Sequence, residues 1–86
     1  MDDYEIVFTR AARKELESLD ASFVARIFEK IIALARGPRP RGVKKLQGSE
    51  TLYRLRIGDY RVVYEVDDKA RRVDINAVRH RRDAYR

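Results

Sequence analysis

The apolar positions of this chain keep one spacing in its first half and another in its second. Tyr4-Glu5-Ile6-Val7-Phe8 is a short run rich in β-formers and predicts a strand. Thr9 then offers a hydroxyl as a helix N-cap, and Ala12, Leu16 and Leu19 recur at helical spacing, predicting a helix through Leu19. Asp20 supplies a second N-cap. Beyond it Phe23, Val24, Ile27, Phe28, Ile31, Leu34 and Ala35 form a broad apolar stripe. Gly37-Pro38 ends that helix, because glycine accepts the left-handed conformation past a helix end and proline cannot continue the helix. A helical hairpin with one apolar side needs a surface to cover.

After a basic connection, Arg39 to Lys45, that reads as mobile, the period becomes two. Tyr53, Leu55 and Ile57 alternate with Leu52, Arg54 and Arg56, and Tyr60, Val62, Tyr64 and Val66 alternate with Arg61, Val63 and Glu65. Gly58-Asp59 suits a two-residue hairpin turn. A polar turn around Asp67-Asp68-Lys69 precedes a last strand marked by Val73, Ile75 and Ala77. The elements run strand, helix, helix, strand, strand, strand. They predict an α+β fold, a two-helix hairpin on one face of a four-stranded, mainly antiparallel sheet, as a single domain over residues 1–86.

If Gly58 and Asp59 are the turn, register follows by counting. Ile57 faces Tyr60, Leu55 faces Val62 and Tyr53 faces Tyr64 on the core side. On the other side Arg56 opposes Arg61, Arg54 opposes Val63 and Leu52 opposes Glu65. Directly opposed side chains have Cβ atoms about 4.5–5.5 Å apart, and like charges there destabilise the pair. Two explanations fit: a solvated sheet face carrying arginines for solubility and edge protection, or a site that an anion visits, for which the planar guanidinium fork is suited.

The segment Arg79-His80-Arg81-Arg82-Asp83-Ala84-Tyr85-Arg86 follows the last strand at once and holds the only histidine, with four arginines and a tyrosine. Histidine suits proton transfer near neutrality, and tyrosine can stack on a base or donate to a phosphate. The plainer alternative is a solvated basic tail. Lys44 and Lys45 read as solvated loop residues, with an RNA-backbone contact as the alternative. With Arg54 and Arg82 they complete the phosphate-binding candidates.

Composition narrows the classes. Twenty Lys and Arg against fourteen Asp and Glu give +6 on 86 residues. Residues 1–43 hold eight basic and seven acidic side chains, and residues 44–86 hold twelve and seven, so the excess belongs to the strand-rich half. The absence of cysteine excludes a disulfide scaffold, a zinc ribbon and a thiol enzyme. No apolar run nears the roughly 20 residues of a membrane span, and the acidic start is unlike a signal peptide. A cytoplasmic domain with no membrane partner is expected. There is no Gly-rich phosphate loop and no metal-ligand spacing; one histidine cannot form a His-pair nuclease, and the scattered carboxylates speak against a two-metal hydrolase.

Leu46-Gln47-Gly48, the run from Tyr53 to Tyr64 and His80-Arg81-Arg82-Asp83-Ala84-Tyr85 together resemble the RelE branch of the RelE/ParE toxin superfamily, over nearly the whole chain. The resemblance implies a type II toxin that cleaves mRNA in the ribosomal A site, without metal or cofactor, and is neutralised by a RelB-type antitoxin. It implies that Arg61 stabilises the scissile phosphate, Arg81 assists the leaving group and Tyr85 orients the RNA. Arg54 and Arg56 stand where well-studied members carry lysines, one a proposed general base, and a guanidinium is a poor proton acceptor. Arg56, Arg61, Arg81, Tyr85 and His80 form the expected catalytic set, with His80 taking some acid–base work. The rivals are a ParE-like toxin that poisons DNA gyrase and a non-catalytic RNA-binding or antitoxin-sequestering module.

Overall fold

Thr9 does two jobs where the first strand meets the first helix. The structure, a computed structural model, describes residues 3–80. Strand β1 (Glu5–Phe8) leads through Thr9 into helix α1 (Arg10–Glu17). The Thr9 hydroxyl accepts from the Ala12 N–H at 3.1 Å, satisfying a donor that has no partner within the helix. The same hydroxyl donates to the Asn76 carbonyl at 3.3 Å, and the Thr9 N–H donates to the Ile75 carbonyl at 3.0 Å, so the helix start is stitched to the last strand. The helix ends at Glu17, with Ser18 as C-cap, slightly short of the expected Leu19.

Helix α2 (Ala21–Ala33) starts after Asp20. Asp20 occupies the N-cap position without a side-chain capping bond; its carbonyl accepts from Phe23 and Val24. Ala12 and Leu16 of α1, and Ile27, Ile31 and the following Leu34, are buried against one face of the sheet. That face supplies Tyr53, Ile57, Val62, Tyr64, Val66, Val73, Ile75 and Val78. Phe23 and Phe28, also in the apolar stripe, remain exposed, as does Ile32 outside it. No helix among the described residues is long and apolar enough to cross a membrane.

The sheet differs from the expected four strands. Its order is β1-β5-β4-β3-β2, five strands among the described residues, with β2 (Lys44–Lys45), β3 (Leu52–Ile57), β4 (Tyr60–Asp67) and β5 (Arg72–His80). It is mixed: β1 runs parallel to β5, and the remaining pairs are antiparallel. The extra strand lies in the basic connection expected to be mobile. Two lysines are too few to show an alternation, so only pairing with β3 reveals the strand.

That connection is held at its base. The Tyr64 hydroxyl, fully buried, donates to the Pro38 carbonyl at 2.7 Å, and burial pushes its pKa above the usual tyrosine range. Arg39 donates to Asp68 at 2.8 Å and to the Tyr53 hydroxyl at 2.9 Å. Asp68 also accepts from the Tyr4 hydroxyl at 2.6 Å. These bonds gather the start of β1, the exit of α2 and the β4–β5 turn at the end of the sheet opposite Gly58.

The β3–β4 hairpin has the counted register at all six pairs, from Leu52 opposite Glu65 to Ile57 opposite Tyr60. Gly58 alone in the turn has positive φ, +59°, as a type II′ turn requires at its first central residue. The β4–β5 pairing is irregular. Tyr64 faces Ile75, yet Val63 faces Ala77, leaving Asn76 as an extra residue on β5. Because side chains alternate faces, this bulge reverses the facing of everything beyond it. Val78 therefore enters the core, and Ala77, expected to continue the core face of Val73 and Ile75, turns to the other face.

Candidate functional site

The face of the sheet turned away from the helices carries two basic rows. In the first, Arg56 on β3 lies opposite Arg61 on β4, and Arg61 lies opposite Arg79 on β5. In the second, Lys44 on β2 lies opposite Arg54, which lies opposite Val63 and then Ala77. Sheet pairing alone thus assembles three arginines in one line and sets Lys44 and Arg54 beside them. Directly opposed like charges cost up to about 1 kcal/mol per pair, so the rows are a liability to the fold.

Arg61, the middle member, is 8% exposed, the one charged side chain among the described residues in the buried class. Arg56 and Arg79 are exposed, and Arg54 is half-buried. Arg56 directs its Nε at the Gly58 carbonyl, 3.4 Å away. Arg79 is held from the helical layer. Glu15 of α1 accepts from the Val78 backbone N–H at 2.9 Å with one oxygen and from Arg79 Nε at 3.2 Å with the other. Strand β1 stops at Phe8, opposite Ile75, so this carboxylate caps the outer edge of β5 where no strand among the described residues covers it.

Acidic groups cluster toward the other end of the same face. Glu65 lies opposite Asp74, and Asp67 opposite Arg72. Arg72 donates to Asp74 at 3.0 Å, and that hydrogen bond raises its pKa above the ordinary arginine value. The face is therefore polarised, basic toward the Gly58 end and net acidic toward the Asp68 end.

Of the residues proposed from sequence, Lys44, Arg54, Arg56 and Arg61 share this face. Lys45 pairs with Tyr53, which puts it on the helix side. His80 is not brought among the arginines. It faces Tyr60 across the strands, edge to face, with ring centroids 5.2 Å apart, and Tyr60 in turn meets Phe23 at 5.4 Å. Arg81, Arg82 and Tyr85 lie outside the described residues. Arg79 was missed as a site residue. Counting back from the β4–β5 turn without a bulge would set Val78 opposite Arg61. The signal was the apolar spacing Val73, Ile75, Val78, one step longer than strict alternation.

Chemically, such rows can hold a phosphate by charge and by forked N–H donors, with little reorganisation because the strands are rigid. Their arginines cannot take up a proton, since arginine stays protonated.

A model of the ParE toxins of the type II toxin–antitoxin system parDE matches residues 6–85. The Toxin RelE of Mycobacterium tuberculosis is 33% identical over 84 residues, covering 96% of this chain and 87% of that protein. The Putative toxin RelE1 of Methanocaldococcus jannaschii is 31% identical over 86 residues, covering 96% of each. Among solved structures, the RelE–RelB complex of Pyrococcus horikoshii contains a chain 35% identical with a TM-score of 0.82, covering 94% of this chain and 97% of that one. The isolated RelE toxin of E. coli matches with a TM-score of 0.80 at 26% identity, over 90% and 83%. The chain belongs to the RelE/ParE superfamily of type II toxin–antitoxin toxins and is RelE-like within it.

Proposed function

We propose that this protein is a metal-independent endoribonuclease that cuts mRNA in the A site of the translating ribosome, and that a RelB-type antitoxin silences it. The observation that carries the reading is the line Arg56–Arg61–Arg79 across three adjacent strands, beside Lys44 and Arg54. The same fold is present in RelE–RelB complexes from Mycobacterium tuberculosis and Pyrococcus horikoshii, which supports the antitoxin as partner.

In this reaction RNA supplies its own nucleophile. The 2′-oxygen forms a bond to phosphorus as the bond from phosphorus to the 5′-oxygen breaks, leaving a cyclic phosphate and a 5′-hydroxyl. The 2′-hydroxyl proton is lost and the departing oxygen gains one. The protein aligns these atoms and neutralises the phosphoryl oxygens. Arg61 and Arg56 grip the phosphate; Arg81 stabilises the leaving oxygen; Tyr85 orients the RNA. Arg54, Lys44 and Arg82 hold flanking phosphates, while Lys45, on the helix side of the sheet, is left out of the grip. His80, beside Tyr60 on the helix side of the sheet, is set apart from this grip, so water takes the 2′-hydroxyl proton and supplies one to the departing oxygen.

A gyrase-poisoning activity is the second reading, favoured by the ParE name of the matching family model. Mapping mRNA 5′ ends on translating ribosomes, in parallel with a gyrase supercoiling assay, separates the two. Codon-phased cuts that vanish in Arg61→Ala or Arg81→Ala are expected. Gyrase inhibition with intact mRNA would overturn the nuclease reading.

A further inference from the structure

A second basic site lies on the other side of β3. It is a cavity of ≈ 450 Å³ between the C-terminal half of α2, the connection after Pro38 and the β3–β4 turn. This is within the about 300–1,000 Å³ of small-ligand sites. Arg26 and Lys30 enter from α2, one helical turn apart, Arg41 from the connection and Arg56 from β3. All charged residues lining it are cationic, and none of these four is in an ion pair among the described residues. Its inner wall includes Leu34, 1% exposed, and Leu55.

The cavity reaches the edge of the sheet. β2 covers β3 only at Tyr53 and Arg54, so beyond them the β3 edge has no strand beside it among the described residues. Arg56 stands at that edge and belongs both to the arginine row and to the cavity.

We infer that this cavity receives a nucleotide of single-stranded RNA next to the phosphate held by the arginine row. The inference rests on the nuclease reading and names a further part of its substrate site. Charge complementarity selects a polyanion, since unneutralised cations surround the opening. The apolar wall selects a ligand with a weakly polar, flat portion, which a base provides and a free phosphate does not. Arg56 at the rim of both sites lets one continuous backbone round the β3 edge and occupy them together.

A fluorescent 2′-O-methyl hexaribonucleotide, which lacks the attacking hydroxyl, tests this with the full chain by anisotropy. Replacing three cations in the cavity (Arg26→Ser, Lys30→Ser, Arg41→Ser) is expected to weaken binding about tenfold or more. The slope of log affinity against log salt should fall by about 2, at roughly 0.7 per lost phosphate contact. Removing the same charge elsewhere (Arg10→Ser, Lys14→Ser, Lys69→Ser), at exposed positions, should weaken binding less than about threefold. Equal losses in both triple variants would overturn the inference, leaving only net charge. Unchanged RNA affinity with loss of binding to an acidic antitoxin segment would overturn it in favour of a peptide-docking groove. Codon-phased mRNA cutting by the intact chain, with unaltered oligonucleotide affinity in the cavity variant, would remove the cavity and leave the nuclease reading standing. Cavity-dependent binding without any cutting would do the reverse.

Discussion

Arg61 and Arg79 stand directly opposite each other on β4 and β5, although the chain between them holds one residue more than a regular hairpin allows. The surplus residue, Asn76, is absorbed as a bulge whose carbonyl accepts from the Thr9 hydroxyl. A packing detail at the foot of α1 thereby decides which face of the sheet carries the last arginine of the row.

Deleting Asn76 should therefore do more than shorten a strand. It would turn Val78 out of the core and Arg79 toward the helices. Burying an arginine and exposing a core valine together should cost at least about 3 kcal/mol. In a domain of this size that lowers Tm by more than about 12 °C. Scanning calorimetry against Asn76→Ala, which keeps the residue count, measures the difference; equal midpoints would show that the bulge does not set the facing.

Arg79→Ala should weaken cleavage without abolishing it. Its guanidinium neighbours the proposed phosphate grip and is shared with Glu15. The expected loss in kcat/KM on ribosome-bound mRNA is about tenfold, near 1.4 kcal/mol. Arg61→Ala should lose about 100-fold or more, as when one preorganised donor to a developing anion is removed. A larger loss at Arg79 than at Arg61 would reverse the assignment of roles.

Glu15 separates a hydrogen bond from an ion pair. Glu15→Gln keeps an oxygen for the Val78 N–H and gives up the charge toward Arg79, which is 55% exposed in its side chain. Exposed pairs contribute little, so this should cost less than about 1 kcal/mol. Glu15→Ala should cost about 1–3 kcal/mol by leaving the amide without its partner. Urea unfolding of the two variants, with hydrogen exchange at the Val78 amide, reads this directly.

Acid should loosen the Asp68 end first. The Arg39 guanidinium, followed by the Tyr4 hydroxyl, holds the Asp68 carboxyl below the usual carboxylate range. A carboxylate with a depressed folded pKa stabilises the protein above its unfolded value, about 3.9. That contribution is lost as pH falls through the folded value. Wild type should lose more stability between pH 5 and pH 2 than Asp68→Asn, by urea midpoints. Parallel curves would refute the linkage.

Tyr64→Phe removes only the hydroxyl that donates to Pro38. A loss of about 1 kcal/mol is expected. Protease sensitivity should also rise in the 38–43 connection, because Tyr64 and Arg39 hold its base. Unchanged proteolysis there would mean that Arg39 suffices.

Local pattern determined much of this protein. Period and capping residues placed β1, both helices and three antiparallel strands within a few residues. The glycine turn made the β3–β4 register a matter of counting, and with it the Arg56–Arg61 pair. These features are set by interactions a few residues apart, which sequence records directly. Tertiary structure decided what depends on distant partners. The two-residue strand Lys44–Lys45 exists only because β3 offers an edge, and it brings Lys44 beside Arg54. The parallel placement of β1 depends on where the helical hairpin returns the chain. The bulge at Asn76, held by Thr9, moves Val78 into the core, sets Arg79 in the arginine row and turns His80 toward Tyr60. Side-chain alternation has a period of two, so one extra residue, invisible in composition and charge, exchanges the faces of every residue beyond it.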